Sequence, residues 1–225
     1  HSLRLSDARK LAPVCAALYR RGGQMSAQDK APLYHAKREL VAAQRAIERM
    51  GQASSLEDLE DEWKAYLTAI EKCWIKVERA CQHIRNKFQP WQGQYANERR
   101  KDPLLKYLKH ARNSDHHSIQ ENMDKKAASS SMYVEGGPGV THIERLEIKD
   151  GQLVEYRGNK PLVIENLPNR VELLPVKDGS KWYNPPSQHK GAKLVWPAPL
   201  DVAQLGLEYY TKYVSEAEEK FFSSV

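Results

Sequence analysis

Arg112, Asn113, His116 and His117 are the residues of this chain whose types and spacing could do chemistry. On a helix turning about 100° per residue, with Arg112 at zero, His116 falls near 40°, Asn113 near 100° and His117 near 140°. A guanidinium, a carboxamide and two imidazoles then share one arc. Such a set suits phosphate chemistry. The planar fork of arginine stabilises a pentavalent phosphorus, an imidazole moves protons at neutral pH, and asparagine orients the base or the scissile phosphate. RNA carries its own nucleophile, the 2′-hydroxyl, so no metal is required. The same residues also suit a structural role, with Arg112 capping or pairing near a helix end and the histidines on a solvated face.

The element that must position them runs from Asp102 to Glu121. Asp102 is a good N-cap, and Pro103 stands at the first helical position, where its missing N–H costs nothing. Leu104, Leu105, Leu108, Ala111 and Ile119 fall on one arc of that helix, which the polar set borders.

The run Arg112-Asn113-Ser114-Asp115-His116-His117 resembles the RNxxxH signature of the HEPN superfamily, a group of helical bundles that includes many toxin and antiviral ribonucleases. Arg112, Asn113 and His117 match its fixed positions; Asp115 and His116 occupy variable ones. The resemblance implies a HEPN-like bundle and metal-independent RNA cleavage in a homodimer, with two motifs facing each other across a cleft. Arg112, Asn113 and His117 would be catalytic, the product would end in a 2′,3′-cyclic phosphate, and a toxin–antitoxin or phage-defence setting with a cognate antitoxin or regulator would follow. Some HEPN domains cleave nothing, so the alternative is a non-catalytic scaffold or nucleic-acid- or protein-binding module.

Residues 88–101 supply a second candidate set. Phe88, Trp91 and Tyr95 lie next to Arg99, Arg100 and Lys101. Aromatic rings beside cations can hold single-stranded nucleic acid, so Trp91, Arg99 and Arg100, with His116, are the expected substrate-binding residues. The alternative is that the rings staple a loop onto the bundle. Lys181, Lys190 and Lys193 are further cations that could hold RNA.

The remaining chain sorts into a helical part, a β part and a last helix. A short helix is expected within 3–21, where Leu11, Val14, Cys15, Leu18 and Tyr19 recur but Pro13 interrupts. Residues 33–50 read as a helix ended by Gly51. Residues 55–87 read as the strongest helix, with Trp63, Leu67, Ile70, Trp74, Val77, Cys81 and Ile84 at four–three spacing, a seam that fits a bundle core or a dimer. A break is expected at Pro90. Lys125 to Ser131 is a polar joint. From Met132 to Trp196 short strands alternate with turns, and Lys149-Asp150-Gly151 and Lys177-Asp178-Gly179 mark two hairpins. Residues 200–222 form a last amphipathic helix, expected to pack on the bundle or the sheet and tie the parts together. The expected fold class is therefore α+β: a helical bundle over 1–127, a small antiparallel β region over 132–198 and a joining helix.

Composition is compatible with RNA as a partner: net charge is +6 and the isoelectric point about 9.1. No apolar run is long enough to span a membrane, and the N-terminus shows no signal-peptide pattern. Cys15, Cys73 and Cys81 form no disulfide framework. Cys73 and Cys81 would stand about 12 Å apart along one helix, too far to bridge. A reducing cytoplasm is the expected compartment. His110, His116 and His117 make no HxxxH pair, and no Ser-His-Asp order, paired carboxylates or dinucleotide fingerprint stands out, so neither metal nor cofactor is expected.

Overall fold

The structure is a computed structural model describing residues 32–117, 122–136, 139–195 and 197–222, with the backbone alone at Asp115, His116 and His117. The helix expected within 3–21, and Cys15 with it, lies outside the described residues. The fold is α+β. It divides into two units: residues 1–123 with 173–225, and residues 124–172.

Among the described residues the first unit is built of five α-helices: α1 (Tyr34–Met50), α2 (Leu56–Ala80), α3 (Arg85–Lys101), α4 (Pro103–His117) and α5 (Pro199–Phe222). Along α1, Ala36, Ala43, Ala46, Ile47 and Met50 are buried, and the small alanines let α2 lie close. Ser55 caps α2, its Oγ accepting from the Asp58 N–H at 3.0 Å, and Glu57 and Asp58 put negative charge at the positive end of the helix. The seam residues Trp63, Leu67, Ile70, Trp74 and Val77 are buried, and so are Tyr66, Ala69 and Cys73 beside them. That buried face is wider than a two-helix seam, because α2 packs against α1, α4 and α5 together. Bundle core is the outcome of the two that the seam allowed.

The expected single helix over 55–87 is two elements. It ends at Ala80; Cys81 turns the chain (φ −93°, ψ 6°) into a short 3₁₀ turn, Gln82–Ile84, and α3 begins at Arg85. With the break there, Pro90 does not end a helix. It sits in the second turn of α3, removes one backbone donor, and the helix runs on to Lys101.

Helix α5 closes the unit, burying Val202, Leu207, Tyr209, Tyr210, Tyr213 and Ala217 against α1, α2 and α4. It therefore packs on the helices and belongs wholly to this unit. Its approach to α2 depends on Gly206. A Cβ there would overlap the Tyr66 hydroxyl and stand 2.6 Å from Leu108 Cδ1, and both neighbours are themselves fully buried. Helix propensity favours alanine by up to about 1 kcal/mol, whereas overpacking costs about 1–3 kcal/mol. Gly206→Ala is expected to lower the thermal midpoint by several degrees; an unchanged midpoint would show that the α2–α5 contact yields.

Two short hairpins complete the first unit: β7 (Val176–Asp178) with β8 (Lys181–Tyr183), and β9 (Gln188–His189) with β10 (Ala192–Lys193). Sequence placed residues 173–198 with the β region. They divide from it because Leu173 and Val176 are buried, the Tyr107 hydroxyl donates to the Leu174 carbonyl at 2.7 Å, and β7 lies along α4.

The second unit, residues 124–172, holds strands β2 (Ser129–Val134) with β5 (Leu162–Leu167), β3 (Ile143–Lys149) with β4 (Gln152–Gly158), and most of the pair β1 (Met123–Lys126) with β6 (Arg170–Leu173), whose end residues Met123 and Leu173 fall in the first unit. Each pair is two-stranded. Most of the expected joint at 125–131 is strand: the Ala128 N–H, between β1 and β2, donates to Asn169 Oδ1 and Ser130 Oγ to Asn166 Oδ1, both at 2.7 Å, so a serine that read as linker acts as a cross-strand donor. The β3–β4 turn follows its Asp-Gly signal, with Asp150 at φ 51° and Gly151 at φ 76°. One face of this hairpin is an ion-pair ladder in which Arg145 bridges Glu147 and Glu155 at 2.8 and 2.9 Å. No described residue of 124–172 is buried.

Candidate functional site: the outer face of helix α4

Asp102 fixes the start of α4. Its Oδ1 accepts from the N–H groups of Leu104 and Leu105 at 3.0 and 3.1 Å, as the sequence predicted. The carboxylate also holds the β9–β10 turn, with Oδ2 accepting from the Lys190 N–H at 2.7 Å and Oδ1 3.0 Å from His189 Nδ1. Burial raises the pKa of this carboxyl, but the Lys190 N–H, His189 and the Leu105 N–H outweigh it and hold the group below its ordinary value. A depressed folded pKa contributes stability that is present above the unfolded value and lost as pH falls through the folded one. The stability gap between wild type and Asp102→Asn is therefore expected to hold from neutrality downward and to close as the pH drops below 3.8. A gap that stays flat through acid unfolding would contradict this.

Leu104, Leu105, Tyr107, Leu108, Ala111 and Ser114 turn the inner face of α4 into the core. On the outer side, Lys106, His110, Asn113 and His117 fall near 120°, 160°, 100° and 140° on the scale that puts Arg112 at zero, so they form one narrow stripe. The β7–β8 hairpin lies against that stripe. Asp178 Oδ2 is 2.7 Å from His110 Nδ1 and accepts from the Asn113 amide at 2.9 Å. The His110 ring stacks on Tyr183, 3.5 Å between centroids and 9° from parallel, and the Lys106 ammonium stands 5.5 Å over the same tyrosine.

Arg112 and Asn113 are brought together. Asn113 gives its amide N–H to Asp178, which leaves its carbonyl oxygen turned to Arg112, with Nη1 3.5 Å away. Arg112 is partly buried, and its Nε finds no partner among the described residues. The backbone is helical through His117, which puts His116 about 40° and His117 about 140° around the helix from Arg112. Their side chains lie outside the description.

The residues expected to bind substrate on α3 are used differently. Arg99 is buried: Nη2 meets Glu71 Oε2 at 2.5 Å and the guanidinium lies 4.2 Å over the Trp74 ring. Burial works against its charge, but Tyr210 and Glu71 outweigh it and hold the pKa above the usual arginine value. Arg99 thus ties α3 into the core and presents no free fork to a ligand. Trp91 stacks on Tyr213 and meets Phe88, Tyr95 and Phe221, an aromatic cluster that joins α3 to α5, so the rings staple a helix rather than the expected loop. Arg100 is exposed and donates to Asn97 at 2.9 Å.

Asp178 and Tyr183 were not found from sequence. The signal was present in the two KDG tripeptides, whose registers differ by one. In the first, Lys149 pairs with Gln152 and the aspartate is spent in the turn; in the second, Asp178 itself pairs with Lys181, and Gly179-Ser180 makes the turn. Only the second aspartate is a strand residue able to face α4. Among the described residues no group of three His, Cys, Asp or Glu is placed to hold a metal ion, and no helix is long and apolar enough to cross a membrane.

No protein-family model, curated protein or solved structure matches this chain. Fold and site define only a class: an α+β protein whose helical unit carries a braced Arg–Asn pair near the end of α4.

Proposed function

We propose that the protein is a metal-independent endoribonuclease of HEPN type, its helical unit a HEPN-like bundle and its catalytic residues Arg112, Asn113 and His117. The observation that carries the reading is the Arg112–Asn113 pair. The Asp178 carboxylate fixes the asparagine amide, and the asparagine carbonyl faces the guanidinium, so a fork of donors is held near the end of α4, the end that also carries His117. Preorganised donors of this kind act where charge develops in a transition state.

The reaction balances without water. The RNA 2′-oxygen attacks the adjacent phosphorus as its proton passes to an imidazole. The bond from phosphorus to the 5′-oxygen breaks, and that oxygen takes a proton from a second imidazole. The products are a 2′,3′-cyclic phosphate and a 5′-hydroxyl. In-line displacement puts nucleophile and leaving group on opposite sides of phosphorus, so base and acid must stand on opposite sides too. Two copies of α4 facing each other across a cleft supply that arrangement, which makes a homodimer part of the proposal, in a cytoplasmic setting.

The test is incubation of the purified protein with mixed cellular RNA in EDTA, with analysis of the product ends and of the oligomeric state. Cleavage leaving cyclic phosphate ends supports the reading. Intact RNA, from a preparation whose fold is verified by circular dichroism, overturns it and leaves the non-catalytic scaffold.

A further inference from the structure

The small groove beside the β7–β8 hairpin differs in its charge from the larger cleft between α3 and α5. Lys101, Lys106, Tyr107, Trp182, Tyr183 and Asn184 line it, and no carboxylate does. The cleft between α3 and α5, by contrast, sets Lys101, Lys190 and Lys212 against Glu98, Asp102 and Glu216. Two lysines beside the exposed Trp182 ring, with no carboxylate in the lining of this groove, favour an anion that carries a flat group. Trp182 is 58% exposed, the most exposed aromatic side chain described, although its strand neighbour Tyr183 is packed under His110. Tyr183 is also the ring over which Lys106 stands. On the other strand of the hairpin, Lys177 pairs directly with Trp182 and is exposed as well.

The geometry points to a subsite for single-stranded RNA in this groove, with a base stacked on Trp182 and the flanking phosphates held by Lys101 and Lys106. Its volume of about 270 Å³ is small. It falls below that of sites which enclose a whole drug-sized ligand, and suits one base with its backbone passing outside. Stacking accepts any base, whereas a duplex hides its base faces and has none to offer. The position also fits the nuclease reading, on which the identity of the strand as RNA rests. Lys106 and Arg112 stand six residues apart on α4, about 9 Å along the axis, which is two to three nucleotides at the stacked rise of 3.4 Å.

The experiment is fluorescence anisotropy of an end-labelled eight-nucleotide oligouridylate with the full chain in EDTA. His117→Ala serves as the background so that the probe stays intact. Adding Trp182→Ala is expected to weaken binding about 5- to 150-fold, the range for one base stacked on an aromatic ring. Adding Lys106→Gln is expected to weaken it and to reduce the salt slope by about 0.7, the share of one phosphate contact on a single strand. Both side chains are exposed, so circular dichroism and thermal midpoint should match the background. Binding unchanged by Trp182→Ala overturns the proposal. So does duplex RNA competing as well as single strands, or the matching DNA oligomer binding more tightly than RNA. The two readings fail separately. A protein that binds through Trp182 but never cuts RNA loses the nuclease and keeps the groove; one that cuts RNA while Trp182→Ala binds normally keeps the nuclease and loses the groove.

Discussion

Replacing His117 with alanine is expected to slow RNA cleavage in EDTA by about 10²–10⁴-fold, the range for a positioned proton-transfer group. Arg112→Ala is expected to cost about 10²–10³-fold, as for loss of one donor aimed at developing negative charge. The two residues act on the same step, so the double variant should be little worse than His117→Ala alone. Asp178→Asn gives a graded control. Asp178 touches no substrate in this scheme; it fixes the Asn113 amide and so the direction in which the Asn113 carbonyl faces Arg112. As a positioning residue it should lower the rate far less than His117→Ala and leave the pH profile set by the imidazole in place. Single-turnover rates on one defined RNA measure all four variants. Rates for His117→Ala and Arg112→Ala within about threefold of wild type, with folding intact, would sink the mechanism.

Arg99→Ala is expected to be the most destabilising single change described here, at about 3 kcal/mol, the low end for a broken buried pair, because it strips the half-buried Glu71 carboxylate of its partner. Arg99 and Glu71 retain only 8% and 19% side-chain exposure, and the guanidinium also lies between the rings of Trp74 and Tyr210. The cost should arise from the stranded Glu71 rather than from lost attraction. Arg99→Met paired with Glu71→Leu should then recover most of the stability, since two packed apolar chains replace two desolvated charges. Denaturant unfolding of both variants measures this. A double variant no better than Arg99→Ala would place the energy in the cation–π stacking instead. The same experiment separates roles: a substrate-binding Arg99 would change RNA affinity at full stability, whereas the buried one changes stability.

Helix existence was legible in the sequence wherever apolar spacing and a cap coincided, as at Ser55 for α2 and Asp102 for α4. What was not legible was the break at Cys81, because no glycine or proline marks it and the hydrophobic spacing runs through it unchanged. Pro90 misled for the complementary reason: a proline reads as a stop, yet in the second turn of a helix it costs a single hydrogen bond. At the site, the adjacency of Arg112 and Asn113 followed from sequence, while Asp178 did not. Its contact spans 65 positions, and a one-residue register difference between two identical tripeptides decides which aspartate can reach a helix. Arg99 and Trp91 show the limit of composition. A cation beside aromatic rings has the same local sequence whether it waits for a ligand or is already stacked within the core.

The closure of the bundle by α5 has a consequence for how the chain folds as it is made. About eighty residues separate His117 in α4 from Pro199, where α5 begins. At ribosomal rates of about 5–20 residues per second, that is roughly 4–16 s of synthesis. Throughout that interval α1, α2 and α4 can pair, but the slot that receives Tyr209, Tyr210 and Tyr213 stays open, with Tyr66, Trp74 and Leu108 along it. The nascent chain thus keeps an apolar slot uncovered until α5 emerges, and a ribosome-stalled chain ending near residue 190 should be more protease-sensitive across α2 than one released after α5.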